Sequence, residues 1–260
     1  MTAPDPTRDR AVGIGFLFLT AACWGFTAVT VKQLSGEVDP FTISFYRVAL
    51  ATLVFVVLFA RQRGDWRRLH WLLPWILLGA LGRAGNYLLY STGLTFTTAN
   101  AATILAPVQT IGVVVLARLA IGERVSGKWP GVILSLLGVT LIWWNGQGWQ
   151  ALAVPQAVWG NTLLVLAGFA SAVQFTSQRA LSSRFSGLEI LLPVFALSTA
   201  ITLPFAWSAG GFAATYSPST WALLLVLGLV LTGASFFFMA EGYRRCDAAF
   251  ADLRSLHLRH

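Results

Sequence analysis

Apolar residues in this chain come in long runs separated by short polar gaps, at 11–31, 41–60, 71–91, 97–120, 129–144, 158–177, 188–207 and 221–240. Most approach the ~20 residues that cross about 30 Å of hydrocarbon at 1.5 Å per residue. The pattern therefore predicts an all-α integral membrane protein with eight transmembrane helices. Tryptophans support the boundaries: Trp66, Trp71, Trp129, Trp143, Trp144, Trp149, Trp159, Trp207 and Trp221 stand at or just outside run ends, where an interfacial aromatic belt belongs. The first run is too long for the core of a signal peptide and lacks a clear cleavage signature. Thr20-Ala21-Ala22-Cys23 is similar to a lipoprotein cleavage site, but the apolar run continues to Val31, so Cys23 reads as a buried thiol.

Composition excludes a soluble alternative. Of 260 residues, 56% are hydrophobic and 11% charged, against roughly 25% charged in a soluble domain. The net charge of +8 would suggest nucleic acid in a soluble protein, but the basic residues fall between apolar runs. With the N-terminus inside, cytoplasmic segments collect 15 of the 18 Lys and Arg residues. External segments hold only Lys32, and Arg47 and Arg83 lie within helices. This positive-inside bias predicts that both termini are cytoplasmic, in a bacterial-type inner membrane. Two separated cysteines, Cys23 and Cys246, give no disulfide framework.

The chain also repeats itself at a shift of about 145 to 149 residues. The stretch from Gly15 to Leu34 lies over Gly160 to Arg179, and Asn86 to Gly93 lies over Ser235 to Gly242. A first unit of five spans makes the second enter the membrane from the opposite side, giving an inverted-repeat helical bundle. The expected organisation is a cytoplasmic N-terminal tail (1–10), a first repeat of five helices (11–147), a second repeat of three (157–250) and a polar C-terminal tail (251–260).

Cys23-Trp24-Gly25, Phe45-Tyr46-Arg47, Ala106-Pro107 and above all Gly122-Glu123-Arg124-Val125-Ser126, followed by Gly131, Leu134 and Gly138-Val139, resemble the EamA type of the drug/metabolite transporter superfamily. The resemblance runs to about residue 250. It implies ten helices in two inverted repeats around a central cavity, and transport of small metabolites, often amino acids. Asp252, Arg254, His257, Arg259 and His260 stand where a ninth span would begin, each charge costing about 2.5 to 3.5 kcal/mol at a helix centre. Eight of the ten helices are therefore expected. The main reading is export of amino-acid-like metabolites; the alternative is a truncated membrane protein that does not transport. In the truncated reading the eighth span exposes Thr232 and Ser235 to lipid.

Polar residues within the spans carry the candidate chemistry. Arg83, Asn86, Tyr87 and Tyr90 fall at i, i+3, i+4 and i+7, one helical face. Arg83 lies about 18 Å past Trp71 by the helical rise, near the midplane. Parallel stripes comprise Thr20, Trp24 and Thr27; Asn100, Thr103, Pro107 and Thr110; Ser171, Gln174 and Gln178; and Thr232, Ser235, Phe236 and Met239. The expected substrate-binding set is Arg83, Asn86, Tyr87, Tyr90, Trp24, Asn100, Thr103, Gln174 and Ser235. Arg47, about 10 Å from the outer boundary by the same rise, reads as snorkelling or paired with Asp39. Gly79, Gly82, Gly85, Gly168 and Ala172 read as sites of close helix approach.

No Asp, Glu or His falls deep in any run, which argues against a carboxylate relay for proton coupling. It also argues against an intramembrane enzyme, which needs a nucleophile with a base or a set of metal ligands. No cofactor, metal or nucleic-acid partner is expected. The partners are a small-molecule substrate and the bilayer, and nothing in the sequence sets an oligomeric state.

Overall fold

Proline and capping side chains start the helices where the apolar runs begin. Asp39 accepts from Phe41 N at 2.8 Å ahead of Pro40, opening α2. Thr98, Ser186 and Ser217 cap later helices in the same way, and Ser186 forms a reciprocal capping box with Glu189. The computed structural model describes residues 6–71, 73–122, 155–212 and 215–257, with a few positions between 130 and 137. The helices are α1 (Pro6–Leu34), α2 (Pro40–Arg61), α3 (Pro74–Phe96), α4 (Ala99–Leu105), α5 (Pro107–Ile121), α6 (Pro155–Leu181), α7 (Gly187–Ser208) and α8 (Pro218–Leu225). A π-helical segment (Val226–Ala234) then leads into α9 (Ser235–His257).

Pro107 separates α4 from α5 within one apolar stretch, because its ring removes a donor and crowds the preceding turn. Gly122 ends α5 at φ 71°, a left-handed conformation in which a Cβ would be strained. Among the described residues six helices are long and apolar enough to cross a membrane. The helix α3 is equally long, at 23 residues, but its polar positions dilute its apolar character. The expected fifth span, 129–144, lies mostly outside the described residues. Two tails are more ordered than expected: α1 begins at Pro6, and α9 continues to His257. Asp9 and Arg245 join those ends at 2.9 Å.

Burial runs the opposite way from a soluble protein. Phe18, Phe26, Leu119 and Trp207 are each more than two-thirds exposed, whereas Arg83, Gln174, Ser198, Thr202 and Thr232 are buried. Apolar side chains facing outward and polar ones inward suit a lipid surround. The deepest cluster joins α2, α3, α7 and α9 through Phe55, Tyr87, Phe195 and Phe236.

Helix pairs approach most closely through small residues. A Cβ on Gly82 would meet the Ala170 carbonyl at 2.7 Å and the Gln174 amide at 2.9 Å. One on Gly160 would meet the Gly93 carbonyl at 2.8 Å, and one on Gly112 would meet Ala172 at 2.7 Å. These contacts hold α6 against α3 and α5. Gly79 and Gly168 are also tight, at 3.3 and 3.2 Å. Gly85 is not: its Cβ would sit 3.6 Å from Ala170, an ordinary contact, so no close approach depends on it.

Candidate functional site

The helical period that aligns Arg83, Asn86, Tyr87 and Tyr90 turns all four toward a cavity of about 310 Å³, near the lower end of small-molecule sites. Trp24 and Thr27 of α1, Arg47 of α2, Thr103 of α4, Gln109 of α5, Ser171 and Phe175 of α6 and Phe236 of α9 also line it. Gly25, Thr103 and Ala106 are lining residues that remain exposed.

Arg83 is 2% exposed. One terminal nitrogen donates to Gln174 Oε1, and its guanidinium lies 4.3 Å from the ring centre of Phe236, 5.0 Å from Tyr87, 5.3 Å from Phe195 and 5.6 Å from Phe175. Cation–π contacts contribute about 0.5 to 2 kcal/mol each. Four of them offset the roughly 2.5 to 3.5 kcal/mol that an arginine costs in mid-membrane. Arg83 Nε and the hydroxyl of Tyr87 are buried with no hydrogen-bond partner among the described residues.

The expected positioning of Arg47 is overturned. Asp39 is occupied as the cap of α2, and Arg47 is 6% exposed, donating from Nε to Thr232 Oγ1 at 2.9 Å. Its guanidinium lies 4.1 Å from the Tyr87 ring centre and 5.9 Å from that of Tyr90. The inward-facing hydroxyl of Thr232 and these rings outcompete the snorkelling route to water. Thr232 bends toward this role in the π segment, its hydroxyl also donating to the Leu227 carbonyl five residues back. Such segments recur at functional sites. The ring of Tyr87 thus holds both guanidinium carbons within about 9 Å of each other, a repulsion of about 2 kcal/mol at an effective dielectric of 20. Among the described residues no acidic side chain stands on the cavity wall.

The other expected site residues divide into three groups. Asn86 lines the cavity and donates to the Ala167 carbonyl at 2.9 Å, while Tyr90, Trp24 and Thr103 line it directly. Gln174 and Ser235 stand behind the wall, orienting Arg83 and Trp24; the Trp24 indole N–H donates to Ser235 Oγ at 3.2 Å. Asn100 is exposed and off the cavity. The inner face of this stretch is set by Ala102, Ala106 and Gln109. Asn100 precedes Ala102 by two residues, about 200° around the helix, so the Asn100–Thr110 stripe mostly faces outward. Thr232 and Ser235 do not face lipid either: both are fully buried against α2 and α1.

Arg47 was the functional candidate that polarity alone misassigned. The signal that finds it is an arginine seven residues into a span whose neighbouring helix offers a hydroxyl at matching depth.

The model of the EamA-like transporter family matches residues 11–144 and 158–254. The chain belongs to this family. An uncharacterized transporter of Archaeoglobus fulgidus is 31% identical over 219 residues, covering 82% of this chain and 74% of its own. The uncharacterized inner membrane transporter YhbE of Escherichia coli is 26% identical over 251 residues, covering 93% and 76%. A solved crystal structure at 19% identity superposes with a TM-score of 0.65 over 92% of this chain and 79% of that one, a shared fold. In this EamA-like protein the described residues contain no group of three His, Cys, Asp or Glu side chains placed to hold a metal ion.

Proposed function

We propose that this EamA-like protein exports small, amino-acid-like metabolites across the inner membrane through the cavity between α1, α2, α3, α6 and α9. The observation that carries the reading is an aromatic-lined cavity of about 310 Å³ at mid-helix depth with Arg47 and Arg83 on its wall. A guanidinium offers a fork of donors that matches a carboxylate. Aromatic faces at Trp24, Phe175 and Phe236 give area without demanding one shape. With no carboxylate among the described residues of the cavity wall, flux runs down the solute's own gradient, outward for a metabolite made in the cell. The E. coli relative's designation as an inner membrane transporter supports the location.

The reading includes eight spans, both termini cytoplasmic, and two inverted repeats. Two pairings support the repeat. The α3 helix packs on α6 as α9 packs on α1, and the matched glycines Gly93 and Gly242 each sit at the crossing, 3.0 Å from the Gly160 and Gly13 carbonyls by their Cβ positions. Reaction chemistry is no part of this reading.

The test is counterflow. Proteoliposomes of the purified chain, preloaded with unlabelled amino acids, accumulate a labelled amino acid transiently above the level of empty liposomes. Equal signals from both, across acidic, neutral and basic amino acids, contradict the proposal.

A further inference from the structure

Two arginines face one small cavity, and among the described residues its wall supplies neither with an anion. Arg47 and Arg83 both lie over the ring of Tyr87, at 4.1 and 5.0 Å, and both line the cavity. Among the described residues Arg83 gives one hydrogen bond, to the neutral Gln174, and leaves Nε without a partner. Arg47 gives one, from Nε to the neutral Thr232, and among the described residues its two terminal nitrogens have no partner. The remaining neighbours are ring faces, which stabilise a cation but accept no strong hydrogen bond. The cavity is thus left lined by two positive side chains with no counter-charge among its described lining residues.

A zwitterion answers this arrangement poorly. Its carboxylate neutralises one guanidinium, while its ammonium is brought into a site with no carboxylate to receive it and a second cation nearby. A solute with two anionic groups separated by a few carbons answers both charges, and each group finds a fork of donors. We infer that the cavity selects small solutes carrying two anionic groups, dicarboxylates or phosphorylated carboxylates, with Arg83 and Arg47 each holding one. Tyr87, whose ring lies against both guanidiniums, sets their spacing. This inference rests on the transport reading above and puts a two-anion solute in place of the amino-acid-like one.

The experiment is a competition series on the unmodified protein in proteoliposomes, with labelled succinate and labelled alanine as the two probes, and 3-phosphoglycerate as a competitor. Succinate uptake saturates, is blocked by 3-phosphoglycerate, and has an apparent affinity at least tenfold higher than that of alanine. Its flux generates a current whose sign is that of moving negative charge. Arg47→Gln reduces the succinate preference tenfold or more, and Arg47→Lys, which keeps the charge, restores most of it. If alanine is moved with equal or higher affinity than succinate, the two-anion assignment fails while the transport reading stands. If neither probe is bound or moved by protein that elutes as a folded species, both readings fail. Because the succinate-to-alanine ratio is read on the wild-type chain, misfolding of a variant does not blur the outcome.

Discussion

Arg47 Nε donates to Thr232 Oγ1 at 2.9 Å, tying α2 to the π segment across 185 positions of sequence. Thr232 is fully buried, so its hydroxyl is the local acceptor for a charged donor that water does not reach. Thr232→Val keeps the shape and removes the acceptor. A buried donor left unsatisfied costs about 1 to 3 kcal/mol, so the variant melts several degrees below wild type in detergent, whereas Thr232→Ser stays near it. Equal melting of the valine and serine variants would show that the rings of Tyr87 and Tyr90 alone hold Arg47.

The packing of α3 on α6 makes a sharper contrast. A Cβ on Gly82 would overlap the Ala170 carbonyl and the Gln174 amide, at 2.7 and 2.9 Å, both backbone atoms that cannot swing away. Gly82→Ala therefore forces the helices apart at the residue before Arg83 and destabilises by about 1 to 3 kcal/mol. Gly85→Ala, three residues on, meets only ordinary contact at 3.6 Å and leaves melting unchanged or slightly raised, since alanine favours the helix by about 0.5 to 1 kcal/mol. Thermal unfolding followed by loss of monodisperse elution separates the two, and equal effects would remove close packing as the explanation.

Orientation follows from the 15-to-1 division of loop cations. On a background lacking Cys23 and Cys246, single cysteines at Ser219, on one side, and at Gln62 and Ser183, on the other, are all in exposed positions. A membrane-impermeant thiol reagent applied to intact cells labels Ser219→Cys and not Gln62→Cys or Ser183→Cys. The reversed pattern would place both termini outside.

The described helices are legible because lipid enforces long apolar runs, and the shared face of Arg83, Asn86, Tyr87 and Tyr90 is legible because the helical period brings i, i+3, i+4 and i+7 together. Which residues share a cavity was less so. Asn100 was assigned by extending a stripe through Ala106-Pro107, where the break between α4 and α5 resets the face that packs inward. The place of Arg47 is not legible because its acceptor, Thr232, lies 185 positions away and is neutral, so no charge pattern announces it. Thr232 and Ser235 were correctly seen as a polar face, but the helices that cover it, α1 and α2, are remote in sequence. The π segment has no marker that periodicity reads, since its extra residue per turn is absorbed over a single apolar stretch.

The central claim, that Arg83 holds an anionic group of the transported solute, is tested most directly by equilibrium binding of labelled solute to purified wild type and to Arg83→Leu. Loss of one partner of a desolvated charged contact costs about 2 to 5 kcal/mol, roughly 30-fold or more in affinity. The account predicts that Arg83→Leu loses saturable binding while keeping its elution profile and cysteine-labelling pattern, and that Tyr87→Phe weakens binding far less. Wild-type affinity in Arg83→Leu would contradict it, leaving the arginine a structural residue held by Gln174 and four aromatic rings.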